Sequence, residues 1–324
     1  MTWWRHASRL ALLAATILAP AAIAQTPLGL PPSVPLNPDA ADRTGLYAAP
    51  YQDPRPGWQF LATVEYGSAI EREFAPGGMY LLDAELMRTT LSIRHDLGEH
   101  AFVSGWLGVR GTYGGFTDQF VNWLHRGLGV PLEGREFRPL NTYGDTMWFF
   151  TGREYSRQAN PFFFDDMRLE GGWRHDSHWQ SLLSLTLPTS TGEGYGRGVP
   201  TVNLIESARF LLFSMLTFEA SAGLGYAPSA GDLSEYANRF LATASGGLRA
   251  RLFDGQSIYA RIFYHSPIYS GTPLSALNAS YLSLDAGWIM RTGSGHEFQL
   301  SLVEDVHTAH DLAIDVVAVL GAKF

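Results

Sequence analysis

The sequence predicts an all-β chain: a transmembrane, antiparallel, up-and-down β-barrel of about twelve strands. Three observations point there. Apolar and polar residues alternate with period two over most of the chain, short and long connections alternate between those segments, and the alternation continues to a terminal phenylalanine.

Residues 1–24 read as a secretory signal peptide. Arg5 and Arg9 form a basic start, Leu10 to Ile23 is apolar, and Ala22-Ile23-Ala24 before Gln25 is a small-x-small cleavage site. The apolar run is too short for a spanning helix and contains Pro20. Export to the bacterial outer membrane through the periplasm is therefore expected.

Residues 25–56 carry Pro27, Pro31, Pro32, Pro35, Pro38, Pro50, Pro54 and Pro56. That density excludes regular strands and helices. An extended periplasmic lead-in is expected, with a plug inside the barrel as the alternative.

Residues 57–324 read as the barrel. Phe60, Ala62 and Val64 alternate with Gln59, Thr63 and Glu65. Phe218, Ala220 and Ala222 alternate with Glu219, Ser221 and Gly223. Ile258, Ala260 and Ile262 alternate with Tyr259, Arg261 and Phe263. One face of each segment suits lipid and the other a polar lumen. Asp83 and Glu85 differ in parity from Arg88, Ser92 and Arg94, so a β-bulge near Met87 is expected to return all five to the lumen. A similar slip is expected between Glu206 and Arg209.

Short connections are expected at His95–Glu99, His175–His178, near Ser214–Leu216, at Phe253–Gln256 and at Thr292–Gly295. Longer ones are expected at Ala69–Gly78, Thr112–Phe163, Pro188–Thr201, Ala227–Asn238, Pro267–Ala279 and Asp305–Asp311. Bacterial outer-membrane barrels alternate in this way. The last strand, Ile314 to Phe324, resembles the sorting signature of these barrels. It names Phe324 as the sorting signal and the barrel-assembly machinery as a partner, beside outer-membrane lipid.

Composition bounds the function. The chain is 46% hydrophobic and 13% aromatic, with only 17% charged residues and no cysteine, which excludes disulfide and thiolate chemistry. The net charge is −8 and Lys323 is the only lysine, which argues against nucleic acid as a partner. The lumen candidates are Arg88, Arg94, Arg110, Arg168, Arg174, Arg249, Arg251, Arg261 and Arg291, with Asp83, Glu85 and Asp285. Mixed signs favour ladders that brace the wall; an arginine row selecting anionic solutes is the rival reading.

The long loop Thr112–Phe163 contains Phe116, Phe120, Trp123 and Leu124 at helical spacing, with Thr117 or Asp118 available as a cap. Phe116, Asp118, Phe120, Trp123 and His125 are candidates for a plug that constricts the mouth. An outward loop is the alternative.

No cofactor or metal is expected. His307 and His310 beside acidic residues match no tight metal spacing. A hydrolase is the runner-up class, but the lipid-facing parity contains no histidine, and His100 and His265 are read as pointing inward. No serine elbow is present. The expected function is a porin-like channel for passive or gated passage of small solutes, not an enzyme. A lipid-acting enzyme and a structural or surface-binding barrel are the alternatives.

At residues 79–139 the chain resembles an uncharacterised family of bacterial outer-membrane proteins. The likeness runs over Leu82-Asp83-Ala84-Glu85-Leu86, Gly115-Phe116-Thr117-Asp118-Gln119-Phe120 and Trp123-Leu124-His125 to Arg135. Leu187-Pro188-Thr189 to Gly192 resembles the strand-to-loop motif of porin-like transporters of aromatic compounds. The resemblance implies a porin-like barrel and assigns no substrate.

Overall fold

The computed structural model describes residues 29–36, 44–128, 138–230, 233–305 and 316–324. The proposed signal peptide and the His307/His310 group lie outside the described residues.

Twelve strands close into one antiparallel barrel. In ring order they are β1 (Trp58–Ala75), β2 (Gly78–Asp96), β3 (Ala101–Tyr113), β7 (Met167–Arg174), β8 (Trp179–Leu187), β9 (Thr201–Phe213), β10 (Leu216–Tyr226), β11 (Phe240–Phe253), β12 (Gln256–His265), β13 (Tyr281–Arg291), β14 (Glu297–Asp305) and β15 (Val316–Lys323). β1 pairs with β15 from Leu61↔Lys323 to Ser68↔Val316, which closes the ring. Phe324 adds two backbone hydrogen bonds to Phe60, of 2.9 and 3.1 Å. Closure leaves the ring without the unpaired edge that would be costly in lipid.

The short turns and both ends of the barrel chain share one rim, which is the periplasmic rim in barrels of this type. The period-two alternation sets the two faces. Trp58, Phe60 and Val64 are exposed on the outer wall, as are Leu183, Leu204, Ile262, Leu300 and Leu320 on other strands. Gln59, Thr63 and Glu65 are buried toward the lumen, with Gln180, Asn203, Glu219, Arg261 and Asp285.

Three expectations about register are corrected. β1 and β2 pair without a shift from Trp58↔His95 to Ala75↔Gly78, so there is no bulge at Met87. The expected long connection Ala69–Gly78 is instead a tight hairpin that projects from the outer rim. Between β9 and β10 the irregularity falls at Leu216/Thr217, not between Glu206 and Arg209.

The long loop contributes four further elements: α1 (Asp118–Leu128), β4 (Gly144–Phe149), β5 (Arg153–Ser156) and β6 (Phe163–Phe164). β4 and β5 extend the β1–β2 hairpin as extra strands, with β4 paired to β2 from Gly78↔Phe149 to Asp83↔Gly144. The inward faces of this extension meet the outer loops. Tyr80, Leu82, Met147 and Phe149 pack with Leu233, Ile268, Leu274 and Leu277 in one buried cluster. That cluster includes Leu36 from the N-terminal segment, so apolar side chains close much of the outer mouth.

Candidate functional site in the barrel lumen

The described residues of the proline-rich segment, 29–36 and 44–56, run inside the barrel. Leu30 N donates to Glu219 Oε1 on β10 at 3.0 Å. Arg261 on β12 donates to the Pro31 carbonyl. Arg88 on β2 donates to the Val34 and Pro35 carbonyls at 2.7 and 3.0 Å. Thr201 and Asn203 on β9 donate to the Thr44 carbonyl, and Ser207 Oγ donates to that of Ala49 at 2.8 Å. Gln180 on β8 bridges the Pro50 carbonyl and the Gln52 amide. One segment can reach β2, β8, β9, β10 and β12 together only from inside the ring.

This corrects the expected periplasmic lead-in for its described residues. Proline removes amide donors and leaves carbonyls in excess. A lumen rich in arginine, which donates and never accepts, satisfies them. The segment also passes close to the wall at Gly45 (φ +70°), where a Cβ would lie 2.1 Å from Thr186 Oγ1.

The arginine candidates are mostly in this lumen and mostly paired. Arg88 pairs with Glu65, Arg261 with Asp285, and Arg168 with Glu170 at 3.1 Å. Arg174 meets Asp96 at 2.7 Å, and Arg94 approaches the same carboxylate at 3.5 Å. Arg110 meets Asp165 at 2.6 Å. Arg249 donates to Thr217 Oγ1 at 2.9 Å. Arg291 meets Glu297 at 2.7 Å, and Arg251 donates to the Ser214 carbonyl at the short-turn rim. Alternating charges and plug carbonyls make this a braced wall, the arrangement in which buried charges are tolerated. Arg168 is also held between the Tyr47 ring of the plug and Trp106, 4.1 and 4.2 Å from their centroids.

Asp83 and Glu85 are not in the lumen. Without the bulge they keep the outer parity of β2, yet they are 4% and 1% exposed. The long loop covers them from outside. Glu85 accepts from Phe116 N at 2.7 Å, from Thr117 Oγ1 at 2.7 Å, and from Thr117 N and Tyr66 Oη. Asp83 accepts from Arg138 Nε at 2.8 Å. Asp118 is buried and accepts from Asn141 N at 2.6 Å. Phe116, Phe120 and Trp123 are exposed, so they do not constrict the mouth as expected. The His125 side chain lies outside the described residues.

Two openings flank the plug. At the outer end a cavity of about 260 Å³ is lined by Asp145, Met147, Tyr155, Arg157, Arg197 and Tyr269, among others. Arg157 Nε meets Asp145 at 3.0 Å there. At the short-turn end a cavity of about 90 Å³ lies under Leu30, Tyr51 and Asp53 and beside Arg55, Glu297 and Lys323. Between them, Glu219 Oε2, Ser184 Oγ, Thr186 Oγ1 and Asn203 Oδ1 are buried without a protein hydrogen-bond partner. A lumen with such atoms is wettable rather than oily.

The histidines differ from expectation in part. His265 is inward, bonded to Thr44 Oγ1 at 2.9 Å. His100 is exposed instead and stacks on the outward ring of Trp173. Histidine does reach the lipid-facing side. His95 lies on the Trp58 ring, and His175 Nε2 is 2.7 Å from Ser181 Oγ. That serine donates to the Glu206 carboxylate at 2.7 Å, and Trp179 Nε1 donates to the same group. The serine hydroxyl donates to the Glu206 carboxylate rather than to the imidazole, which is not the order of a nucleophile–base pair.

Sequence reasoning missed Asp53, Tyr47, Gln180 and Asn203 as lumen groups. The available signal was the coincidence of carbonyl-rich proline segments with an excess of lumen donors.

No family model matches the chain, and no curated protein matches it. Solved structures do. An outer-membrane channel from Pseudomonas putida F1 aligns over 84% of this chain and 97% of its own, at 12% identity and TM-score 0.52. The translocator domain of the autotransporter NalP from Neisseria meningitidis aligns over 84% and 89%, at 13% identity and TM-score 0.44. The NanC porin aligns over 83% and 99%, at 9% identity and TM-score 0.45. Only the first rises above half on the TM scale, and at that identity it speaks to fold alone. The chain has the fold of the bacterial outer-membrane β-barrels.

Proposed function

We propose that this protein is a porin-like channel of the bacterial outer membrane, closed at rest by its own N-terminal segment. The carrying observation is that the segment preceding β1 occupies the lumen, tied to the wall by hydrogen bonds and ion pairs on five strands and by small apolar contacts of Leu30, Leu36, Leu46, Tyr47, Ala48 and Ala49. Hydrogen bonds and ion pairs can be exchanged for water at small net cost, and the apolar contacts of the segment are split among four separate patches rather than gathered in one core. The two flanking cavities give a solute an entry on each side. The strand β15, with Phe324 directly after it, serves as the signal for the barrel-assembly machinery. The polar lumen and the outer cavity, where Arg157 is paired with Asp145, suit small polar solutes.

The test is single-channel recording on the mature protein and on a variant lacking residues 29–53. The full chain should show low or intermittent conductance and the deletion a larger, steady one. Equal conductance, or none from a correctly folded deletion variant, would favour a purely structural barrel.

A further inference from the structure

The exposed aromatic face of α1 has a place to go. Phe120 and Trp123 are i and i+3 on α1 and so share one side of it, and Phe116 stands two residues before its first turn. Phe116, Phe120 and Trp123 are 74%, 58% and 66% exposed, while Val121 on the opposite side is 4% exposed. Three neighbouring large rings in water are unusual for a loop that is otherwise bonded down so closely.

The height of this face can be read from β1. Trp58 and Tyr66 share the outer parity and stand eight residues apart, roughly 26 Å along a strand. With the usual barrel tilt that is roughly 20 Å along the membrane normal, close to the height of the apolar band of such barrels. Trp58 therefore marks one rim of the band and Tyr66 the other. The Phe116 ring lies 5.6 Å from the Tyr66 ring, which sets α1 at the outer rim, against the wall. Phe162 and Phe164 are exposed as well, and β6, which holds Phe164, pairs beside Val109 on β3. They continue the same aromatic level around the barrel.

Glu85 and Asp83 explain how the helix is kept there. Ser68↔Glu85 and Ile70↔Asp83 are the next outer-parity rungs above Tyr66, beyond the apolar band. Glu85 receives the amides of Phe116 and Thr117, and Asp83 receives Arg138 from the far end of the same loop. Gly115 (φ +77°) makes the approach possible, since a Cβ there would overlap the Glu85 carboxyl.

We propose that α1 is an interfacial helix, clamped to the outside of β2 by Glu85, and that its Phe120 and Trp123, with Phe116 just before it, enter the outer leaflet of the membrane at the headgroup–acyl boundary. Aromatic rings concentrate at that depth in barrels, and an amphipathic helix in the membrane plane buries its apolar side there. The occupant of the face is lipid, because the face is continuous with the lipid-facing wall at Tyr66.

The absence of cysteine permits a clean test. Phe120→Cys and Trp123→Cys variants of the mature chain are spin-labelled and reconstituted in phospholipid vesicles. Collision rates with oxygen and with a water-soluble nickel chelate are then measured. Leu183→Cys on the lipid-facing wall and Glu154→Cys on β5 serve as the two references. The proposal expects a severalfold lower nickel rate at 120 and 123 than at 154, with oxygen access approaching that at 183. Values equal to those at 154 would place the face in water and overturn it. Poor access to both reagents would mean a protein covers the face, and would overturn it equally. The readout is depth, so it stands whether or not the barrel conducts.

Discussion

Arg209 on β9 holds Asp53 of the plug with both terminal guanidinium nitrogens, the Nη1 contact being 2.9 Å, across 156 residues of chain. The guanidinium also lies 4.7 Å from the Tyr51 ring centroid. This pair secures the segment just before it leaves the lumen to become β1. The Arg209 side chain is 8% exposed and that of Asp53 22%.

Asp53→Asn should therefore loosen the plug. It leaves a nearly buried guanidinium without its counter-ion, at a cost of about 1–3 kcal/mol once the partial exposure of Asp53 is discounted. Planar-bilayer recordings should show more frequent or longer openings, with the barrel's strand content unchanged by circular dichroism. An unaltered gating pattern would count against this anchor.

Gly45→Ala tests the close passage of the plug along β8. The new methyl meets Thr186 Oγ1, and the left-handed backbone adds about 1 kcal/mol. Faster protease cleavage within residues 29–56 is expected. Adding Thr186→Ala should restore part of the protection, because it removes the atom that the methyl strikes. Failure of the second change to help would assign the effect to backbone strain alone.

Glu206 should matter little to stability and nothing to catalysis. It sits on the outer wall near the periplasmic rim, where a carboxylate costs about 1 kcal/mol or less. Glu206→Leu should shift thermal unfolding only slightly. Ser181→Ala should leave phospholipid hydrolysis by the purified protein at background. Turnover that Ser181→Ala abolished would reinstate the hydrolase reading.

The turn at Asp176 carries a pH dependence. Its Oδ1 accepts from His178 N at 2.6 Å and Trp179 N at 2.8 Å. The His178 amide is the main reason its carboxyl is held below the ordinary aspartate range, with burial opposing and the Trp179 amide reinforcing. A lowered value means the turn is stabilised above the ordinary aspartate value and loses that support as pH falls through the lowered one. Carboxyl NMR should give a midpoint for Asp176 below that of an unstructured aspartate. A midpoint at or above it would contradict the turn geometry.

Much of the barrel was legible in the sequence because a wall between lipid and water writes its faces in parity. The twelve-strand ring, the turn rim and the inward placement of Arg88, Arg174, Arg261 and Asp285 all follow from that rule. The expectation failed at Asp83 and Glu85, where the rule was overridden. Parity alone put them outside, and the assumption that buried acids belong in the lumen called for a bulge that is not there. Phe116 and Thr117 cover Glu85, and Arg138 and Thr142 cover Asp83, tertiary contacts that no local pattern encodes. The same limit applies to residues 29–56. Proline density excluded regular structure there but could not distinguish an extended chain outside the barrel from one inside it. The deciding chemistry was distributed over β2, β8, β9, β10 and β12.

The most direct measurement of the plug's position is a disulfide across Ala49 and Ser207, whose backbone oxygen and hydroxyl are 2.8 Å apart. The double variant Ala49→Cys with Ser207→Cys introduces the only two thiols in the chain. The account expects mild oxidation in membranes to link them, as shown by mass spectrometry of a digest. It also expects the linked channel to stay closed until a reductant restores its openings. Thiols that never link, or a linked barrel that conducts as freely as the deletion variant, would contradict it.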